Sequence, residues 1–413
     1  MKNTRGYEGK YDIIIVGCGA AGLGAANELA KSDLKVLLID RGDKHHNLCT
    51  PHSFVKEIGI EKAVINKFSF YSFYSENYEL IRSTGKKHLF SFINQEKTRT
   101  ILMKKLKCHV LNNTEIISAE YNNSYIKLVD NKNNNYEARI VLDCSGTAAV
   151  VATNLGMDIQ SSVYFFCYTT TLSSCNIEKP HELSFNINPK YSNGAAWIYP
   201  YNKKKAQLAI SDILPYKIST KQNLRTRLRM VIKDAHPYAD WLKSSKIDEK
   251  DTFVKMFPLS PVKCMVSNNL ILVGDAAGHA FPYIGEGFRP SMLMGREAAR
   301  IAVKALEEND LSKKRLMEFE GVWWDNFGKY SFWAIIARHI GVNCNSEEHD
   351  FVLKRMHGLS YDEFFDYVQS RYTWRLFYKI ISVKLFLKYI KNHFRFHLPR
   401  FRKFLRDFVS GYV

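Results

Sequence analysis

At 413 residues and 47.8 kDa the chain is long enough for two closely joined domains, or for one large α/β unit with an insertion. Its 46% hydrophobic and 24% charged residues match an ordinary globular protein, and no run of about 18 apolar residues supplies a membrane-spanning helix. The net charge of +18 is local, since residues 371–413 carry eleven Lys or Arg against Asp407 alone, which excludes a chain that is basic throughout.

The N-terminal "MKNTRGYEGKYD" lacks the apolar core of a signal peptide. The eight cysteines are scattered without a C-x-x-C pair, as expected of reduced thiols in a cytoplasmic protein. The first strong pattern is "YDIIIVGCGAAGLGAANELAKSDLKVLLIDRG", residues 11–42. Ile13–Val16 reads as a central parallel strand, the following residues as a helix, and Val36–Ile39 as a second strand ending at Asp40. Gly17, Gly19 and Gly22 stand in G-x-G-x-x-G spacing between the first strand and the helix. Gly17 permits a tight turn, Gly19 lets backbone approach a pyrophosphate, and Gly22 allows close helix–strand packing. The helix start at Ala21 offers free N–H groups, and Asp40 can accept from ribose hydroxyls, with Arg41 beside it. This is a dinucleotide-binding unit, and the motif suits the ADP half of FAD as well as NAD.

Farther along, His45, His46, Cys49 and His52 lie in "RGDKHHNLCTPHSF", where the histidines lack metal-ligand spacing and read as loop polar groups, so no metal site is expected. "NKNNN" at 131–135 reads as a hairpin tip, and "ARIVLDCSG" at 138–146 as a strand ending at Asp143 and Gly146. "AAWIYPYNKKKAQLAIS", 195–211, reads as a hairpin in which Trp197 and Tyr199 share one face while Leu208 and Ile210 share a face of the partner strand. "ILVGDAAGHAFPYIGEGFRP", 271–290, ends a strand at Gly274-Asp275 and continues as a loop almost bare of side chains before a helix over 291–306. Pro282 fixes the course of that loop, and Gly285 and Gly287 keep Cβ atoms away from whatever flat or anionic group approaches it.

The paired motifs Gly17–Asp40 and Gly274-Asp275 resemble those of the flavoprotein superfamily that includes p-hydroxybenzoate hydroxylase and the geranylgeranyl reductases. The hydroxylase branch carries G-D-A-A-H and P-x-G-G-Q-G-x-N, whereas this chain has Gly278, Glu286 and Arg289 at the His, Gln and Asn positions. "GDAAG…P…GEG" is instead similar to the geranylgeranyl reductase group. The resemblance implies FAD as cofactor, with Asp275 at its ribityl or pyrophosphate part and Pro282, Gly285, Glu286, Gly287 and Phe288 beside the isoalloxazine. It implies further that Arg99 meets the pyrophosphate and that the Val110 backbone meets adenine. Asp143 and Gly146 lack the family's Ser-x-x-Arg continuation and are read as supporting the fold.

The reductases also carry a Y-x-W-x-F-P strand, matched here by Ala195, Trp197, Tyr199 and Pro200 without the first Tyr; Trp197 and Tyr199 are the candidate walls of an apolar substrate cavity. A Cys-Gly-Gly turn of that group falls at Cys49, where Thr50-Pro51 replaces the glycines, so Cys49 is the candidate catalytic residue, with an ordered water as the other candidate proton donor. The implied fold is α/β. A Rossmann-like FAD-binding domain (1–60, 95–155 and 262–310) is joined by an interposed β-sheet substrate domain (61–94 and 156–261). A helical C-terminal region follows (311–413).

Residues 373–409 mix aromatic and aliphatic residues with Lys or Arg at about every third or fourth position, broken near Pro399. On a helix this makes an apolar face with a basic border, suited to a membrane surface; a cap packed on the enzyme is the alternative, and the apolar content is too high for a nucleic-acid arm. The expected activity is FAD-dependent saturation of a prenyl chain on a lipid or isoprenoid, in the cytoplasm at the membrane surface. NADPH or a ferredoxin, a small electron-transfer protein, is the expected electron donor. A flavin monooxygenase is the second reading and a flavin halogenase the third.

Overall fold

The computed structural model describes residues 9–44, 46–85, 87–215 and 222–396. In chain order its strands are β1 (Gly9–Val16), β2 (Val36–Ile39), β3 (Leu48–Pro51), β4 (Val64–Phe68), β5 (Phe70–Tyr74), β6 (Glu79–Ser83), β7 (Phe90–Ile93), β8 (His109–Leu111) and β9 (Ile116–Asn122). They continue as β10 (Tyr125–Asp130), β11 (Asn135–Asp143), β12 (Tyr164–Ser173), β13 (Glu182–Asn186), β14 (Ala195–Asn202), β15 (Lys205–Leu214), β16 (Lys246–Pro258), β17 (Val266–Ser267) and β18 (Leu270–Leu272).

One sheet runs β17-β18-β11-β1-β2-β8, with β9 and β10 extending from β11. Its core is parallel: β1 pairs with both β2 and β11, β2 with β8, and β11 with β18. Ile13, Ile14 and Ile15 are buried on both faces, which is why this strand reads as continuous apolar sequence. The helix α1 (Ala20–Leu29) follows β1, and the helices α2 (His52–Glu57), α3 (Gln95–Met103) and α4 (Val150–Asn154) follow in turn. The buried Asp143 carboxylate accepts the N–H groups of Val151 and Ala152, each at 3.0 Å, so the end of β11 caps α4.

A second sheet runs β16-β12-β15-β14-β13-β5-β6. The helices α5 (Leu224–Asp234) and α6 (Tyr238–Leu242) cover one face of it around Ile198, Leu208 and Ile210. Segment 61–94 divides between two sheets, because β4 and β7 join β3 in a small three-stranded sheet while β5 and β6 join the large one.

The remaining helices are α7 (Phe288–Glu307), α8 (Lys313–Leu316), α9 (Glu318–Trp323), α10 (Lys329–Gly341), α11 (Ser346–His357), α12 (Tyr361–Val368), α13 (Trp374–Ile380) and α14 (Val383–Phe396). Helices α10 to α14 pack on the large sheet through a shared core that includes Phe73, Leu183, Ile336, Leu353, Phe364 and Phe377. The basic C-terminal segment is therefore not one helix: it breaks at Ile381-Ser382, and Leu376, Phe377, Ile380 and Leu385 face inward. Its continuation beyond Phe396, with Pro399, lies outside the described residues, as does His45.

Candidate functional site

The carboxyl ends of β1, β2, β11 and β18 converge on one crevice, the place where open α/β sheets bind ligands. Gly17 turns the chain there with φ +103°, and a Cβ on it would lie 2.3 Å from the Cys144 carbonyl oxygen. A Cβ on Gly22 would lie 1.9 Å from the Gly17 oxygen, so α1 is held directly against the turn. The start of α1 has no side-chain cap and no acidic residue in its first turn, and a Cβ on Gly19 would meet nothing within 4 Å. Its N–H groups therefore face open space.

Asp40, at the end of β2, is buried; its Oδ1 accepts the Cys18 N–H at 3.0 Å and its Oδ2 the Arg99 guanidinium at 3.0 Å. Arg99 also donates to Asn112 Oδ1 at 2.8 Å. Burial pushes the Cys18 thiol up to about 11, with the charge of Arg99 opposing the rise. Arg41 stands half-exposed at the rim, paired with Asp43 and, at 3.4 Å, with Glu115.

Gly17, Gly19, Asp40, Arg41, Asp43 and Glu115 line one end of a cavity of about 830 Å³. Of the residues singled out from sequence, Gly17, Gly19, Ala21, Asp40, Arg41, Cys49, Trp197, Tyr199, Gly274, Asp275, Gly285, Glu286, Gly287 and Phe288 line it. Gly22, Arg99, Val110 and Pro282 do not. Arg99 instead stands behind Asp40, Val110 pairs with Leu38 inside the sheet, and the wall beside them is made by Thr114, Glu115 and Ile116.

The loop between β18 and α7 forms the middle of the cavity. Asp275 faces Lys255 of β16, whose Nζ lies 3.4 Å away and whose pKa that carboxylate raises. Gly285 adopts φ +68°, and the atoms nearest a Cβ there would be in the rings of Phe165 and Phe257, at 3.7 Å. Glu286 is buried; its Oε1 accepts the Arg289 N–H at 2.8 Å, and its Oε2 lies 3.3 Å from Arg289 Nε. Burial raises the Glu286 pKa, and Arg289 opposes the rise. Arg289 also donates to the Gln369 carbonyl at 2.8 Å, tying the end of α12 to the start of α7.

Behind this loop, the Gly274 N–H donates to Nδ1 of His279 at 3.1 Å. The ring is buried and stacked on Trp323, and burial lowers its pKa to about 3, so it stays neutral. His52 is likewise no loop residue, since it opens α2, buried, with Nδ1 2.7 Å from Ser91 Oγ. His46 stacks on Phe253, ring centroids 3.5 Å apart.

Across the cavity, Trp197 and Tyr199 project from β14 and pack together, with Trp197 also on Phe165. The Tyr199 hydroxyl sits against the Cys49 thiol. Burial pushes both groups well up, so both hold their protons. From here the cavity continues as an apolar arm between Phe73, Phe90, Leu183 and Phe185 of the sheets and Val352, Leu353, Met356 and Val368 of α11 and α12. Sequence reading missed this helical wall, together with Arg338 of α10 and His349 of α11, which also line the cavity. Its only sequence signal was aromatic density, which also fits a plain packed cap.

The comparisons with known proteins bear on this arrangement. The family described as "Lycopene cyclase protein" matches residues 12–168. The digeranylgeranylglycerophospholipid reductase 1 of Methanococcoides burtonii is 22% identical, the match covering 83% of this chain and 86% of that protein. A reductase 2 of the same name from Methanopyrus kandleri is also 22% identical, over 93% of this chain and 99% of that protein. A solved geranylgeranyl bacteriochlorophyll reductase-like protein from Thermoplasma acidophilum superposes with a TM-score of 0.75 at 19% identity, covering 97% of this chain and 99% of the other. The flavin-dependent brominase Bmp2 superposes with a TM-score of 0.72 at 14% identity, covering 94% and 100%, a likeness of fold alone. The chain is thus a homologue of proteins named as geranylgeranyl-lipid reductases and carries the fold of FAD-dependent oxidoreductases.

Proposed function

We propose that this protein is an FAD-dependent reductase that saturates double bonds of a prenyl chain carried by a lipid or isoprenoid. The observation that carries the reading is the continuity of one cavity, from a glycine-lined strip with an uncapped helix start to an arm walled by aromatic and aliphatic side chains. The strip fits the cofactor: the α1 N–H groups face a pyrophosphate site, Asp40 is set for ribose, and Asp275 with Gly285–Phe288 lies along the face left open beside them. Arg99 and the strand end at Val110 act from behind, holding Asp40 and the sheet in place. Bound FAD, once reduced, supplies the hydride.

The chain's own residues do the rest. Trp197, Tyr199 and the apolar arm exclude water and orient an alkene. An unactivated double bond accepts hydride only as it gains cationic character, so a protonated donor must lie close by. Cys49, held in its thiol form against Tyr199, is that candidate. The division proposed is 1–60, 95–155 and 262–310 for cofactor, 61–94 and 156–261 for substrate, and 311–413 for the helical region, although β3 of the first shares a small sheet with β4 and β7 of the second. To it is added a contribution of the helical region to the substrate wall.

The protein works at a membrane surface. Among the described residues no helix is long and apolar enough to cross a membrane. Trp374, Tyr378, Val383 and Leu387 are nevertheless exposed on α13 and α14, with Arg375 and Lys384 among them. Such a face suits a bilayer interface. NADPH or a ferredoxin delivers the electrons.

The test is anaerobic. The flavin-loaded protein is reduced with dithionite, prenyl lipids are added, and flavin absorbance is followed with mass spectrometry of the product. Reoxidation without oxygen, with a product heavier by two hydrogens, is expected. A reduced flavin that stays inert until air enters, and then yields an oxygenated product, would replace the reductase with a monooxygenase.

A further inference from the structure

The apolar arm contains a charge that no carboxylate of the described residues neutralises. Arg338, on α10, lines the cavity. Its Nε donates to the Pro282 carbonyl at 3.2 Å and its Nη2 to the Tyr283 carbonyl, while its guanidinium carbon lies 5.1 Å from the centroid of the Tyr283 ring. The titratable groups nearest it are the phenols of Tyr283, Tyr367 and Tyr372, which stay neutral because burial pushes them up. Of the acids of the neighbouring α11, Glu347 is exposed and the other two are engaged elsewhere. Glu348 pairs with Lys388 and accepts the Asn345 N–H, and Asp350 accepts from Ser75 and Asn77. His349, also on the cavity wall, is pushed down to about 4 by burial, with Arg338 adding to the shift, and brings no charge of its own.

A guanidinium in such surroundings is costly unless an anion meets it, and its planar fork matches phosphate oxygens. Two of its donors clamp the loop leading to Gly285, and Nη1 has no protein partner among the described residues. Resting on the reductase reading above, we infer that Arg338 binds the phosphate-bearing head of the substrate. The phosphate of such a prenyl substrate then lies at Arg338 and its chain runs toward Cys49 and Trp197.

The full-length, flavin-loaded protein is titrated with dodecyl phosphate, dodecanol and inorganic phosphate, following tryptophan fluorescence. The wild type is expected to bind dodecyl phosphate at least tenfold more tightly than dodecanol. R338Q should erase that difference by weakening dodecyl phosphate at least tenfold more than dodecanol, while R338K keeps part of it. Equal loss for both amphiphiles in R338Q would make Arg338 a structural clamp and overturn the inference. So would a wild type without preference, a result that needs no variant to fold, or inorganic phosphate binding as tightly as dodecyl phosphate.

Turnover then separates the sources of phosphate. Geranylgeranyl diphosphate or a geranylgeranyl phospholipid should show a KM that rises at least tenfold more in R338Q than the KM for geranylgeraniol does. An equal rise for all three overturns the assignment. If the wild type reduces no prenyl compound, the reductase reading falls while the titration still decides what Arg338 binds.

Discussion

His279 holds the Gly274 amide through Nδ1 and is closed in by Trp323 and Phe319, which makes the flavin-side loop sensitive to acid. Folded His279 takes no proton until about pH 3, whereas the unfolded side chain takes one near its ordinary 6.5. Between those values the unfolded state binds more protons. Stability therefore rises with pH through that window, by about 1.4 kcal/mol per unit, and is fully present above it. His349, pushed down to about 4, adds in the same sense. Urea unfolding should show a clear loss of stability between pH 6.5 and 5, and His279→Asn should reduce that slope even if it lowers stability at pH 7. At Asp40 two hydrogen bonds, one of them to a cation, hold a buried carboxylate. Asp40→Ala should cost roughly 2 kcal/mol or more and purify with little flavin, as measured by absorbance per protein. Cys49→Ala should fold and keep its flavin while slowing anaerobic reoxidation by substrate at least tenfold, with Cys49→Ser retaining more. An unchanged rate in Cys49→Ala would move the proton donor elsewhere, with Glu286 the next carboxyl on the cavity wall.

At the scale of elements, α1 and α7 meet backbone to backbone. A Cβ on Gly24 would lie 2.2 Å from the Met292 oxygen, and one on Gly295 would lie 2.1 Å from the Ala21 oxygen. Backbone cannot yield as a flexible side chain can, so Gly295→Val should destabilise by about 3 kcal/mol and lower Tm by several degrees. This contact explains much of what could be read in advance. Residues 11–42 and 270–307 are dense in glycine because their backbones touch each other or face the cavity, and such requirements leave a mark in sequence. The hairpin at 195–211 was equally readable, since Trp197 and Tyr199 alternate with Ile198 along a two-faced strand. The wall made by α11 and α12 was not, because an aromatic helix packed on a core and one lining a cavity use the same residues. Arg99 was less legible: its spacing marks the helix, but only the fold shows that it pairs with Asp40 and is not on the cavity wall.

At the scale of the molecule, the cations Arg375 and Lys384 stand beside the exposed Trp374, Tyr378, Val383 and Leu387 of α13 and α14. Each Lys or Arg near an anionic bilayer contributes on the order of 1 kcal/mol, falling with salt. The protein should co-sediment with vesicles containing anionic lipid at low salt and release at 0.5 M salt, to a first approximation (~0.5 M leaves a Debye length of only a few Å). Reversing Arg375 and Lys384 to Glu should weaken binding by roughly 10-fold or more without altering Tm; unchanged binding would leave α13 and α14 as a cap alone. The meeting of α1 with α7 has one more consequence, and it concerns the order of events during synthesis. The turn at Gly17 leaves the ribosome early, but β18 and α7, which complete its crevice, come some 250 residues later. A nascent chain ending before residue 270 should therefore leave the edge of β11 at Val141–Asp143 unpaired and fail to retain flavin. Cofactor capture then belongs to the last stage of folding, after the substrate sheet has already been made.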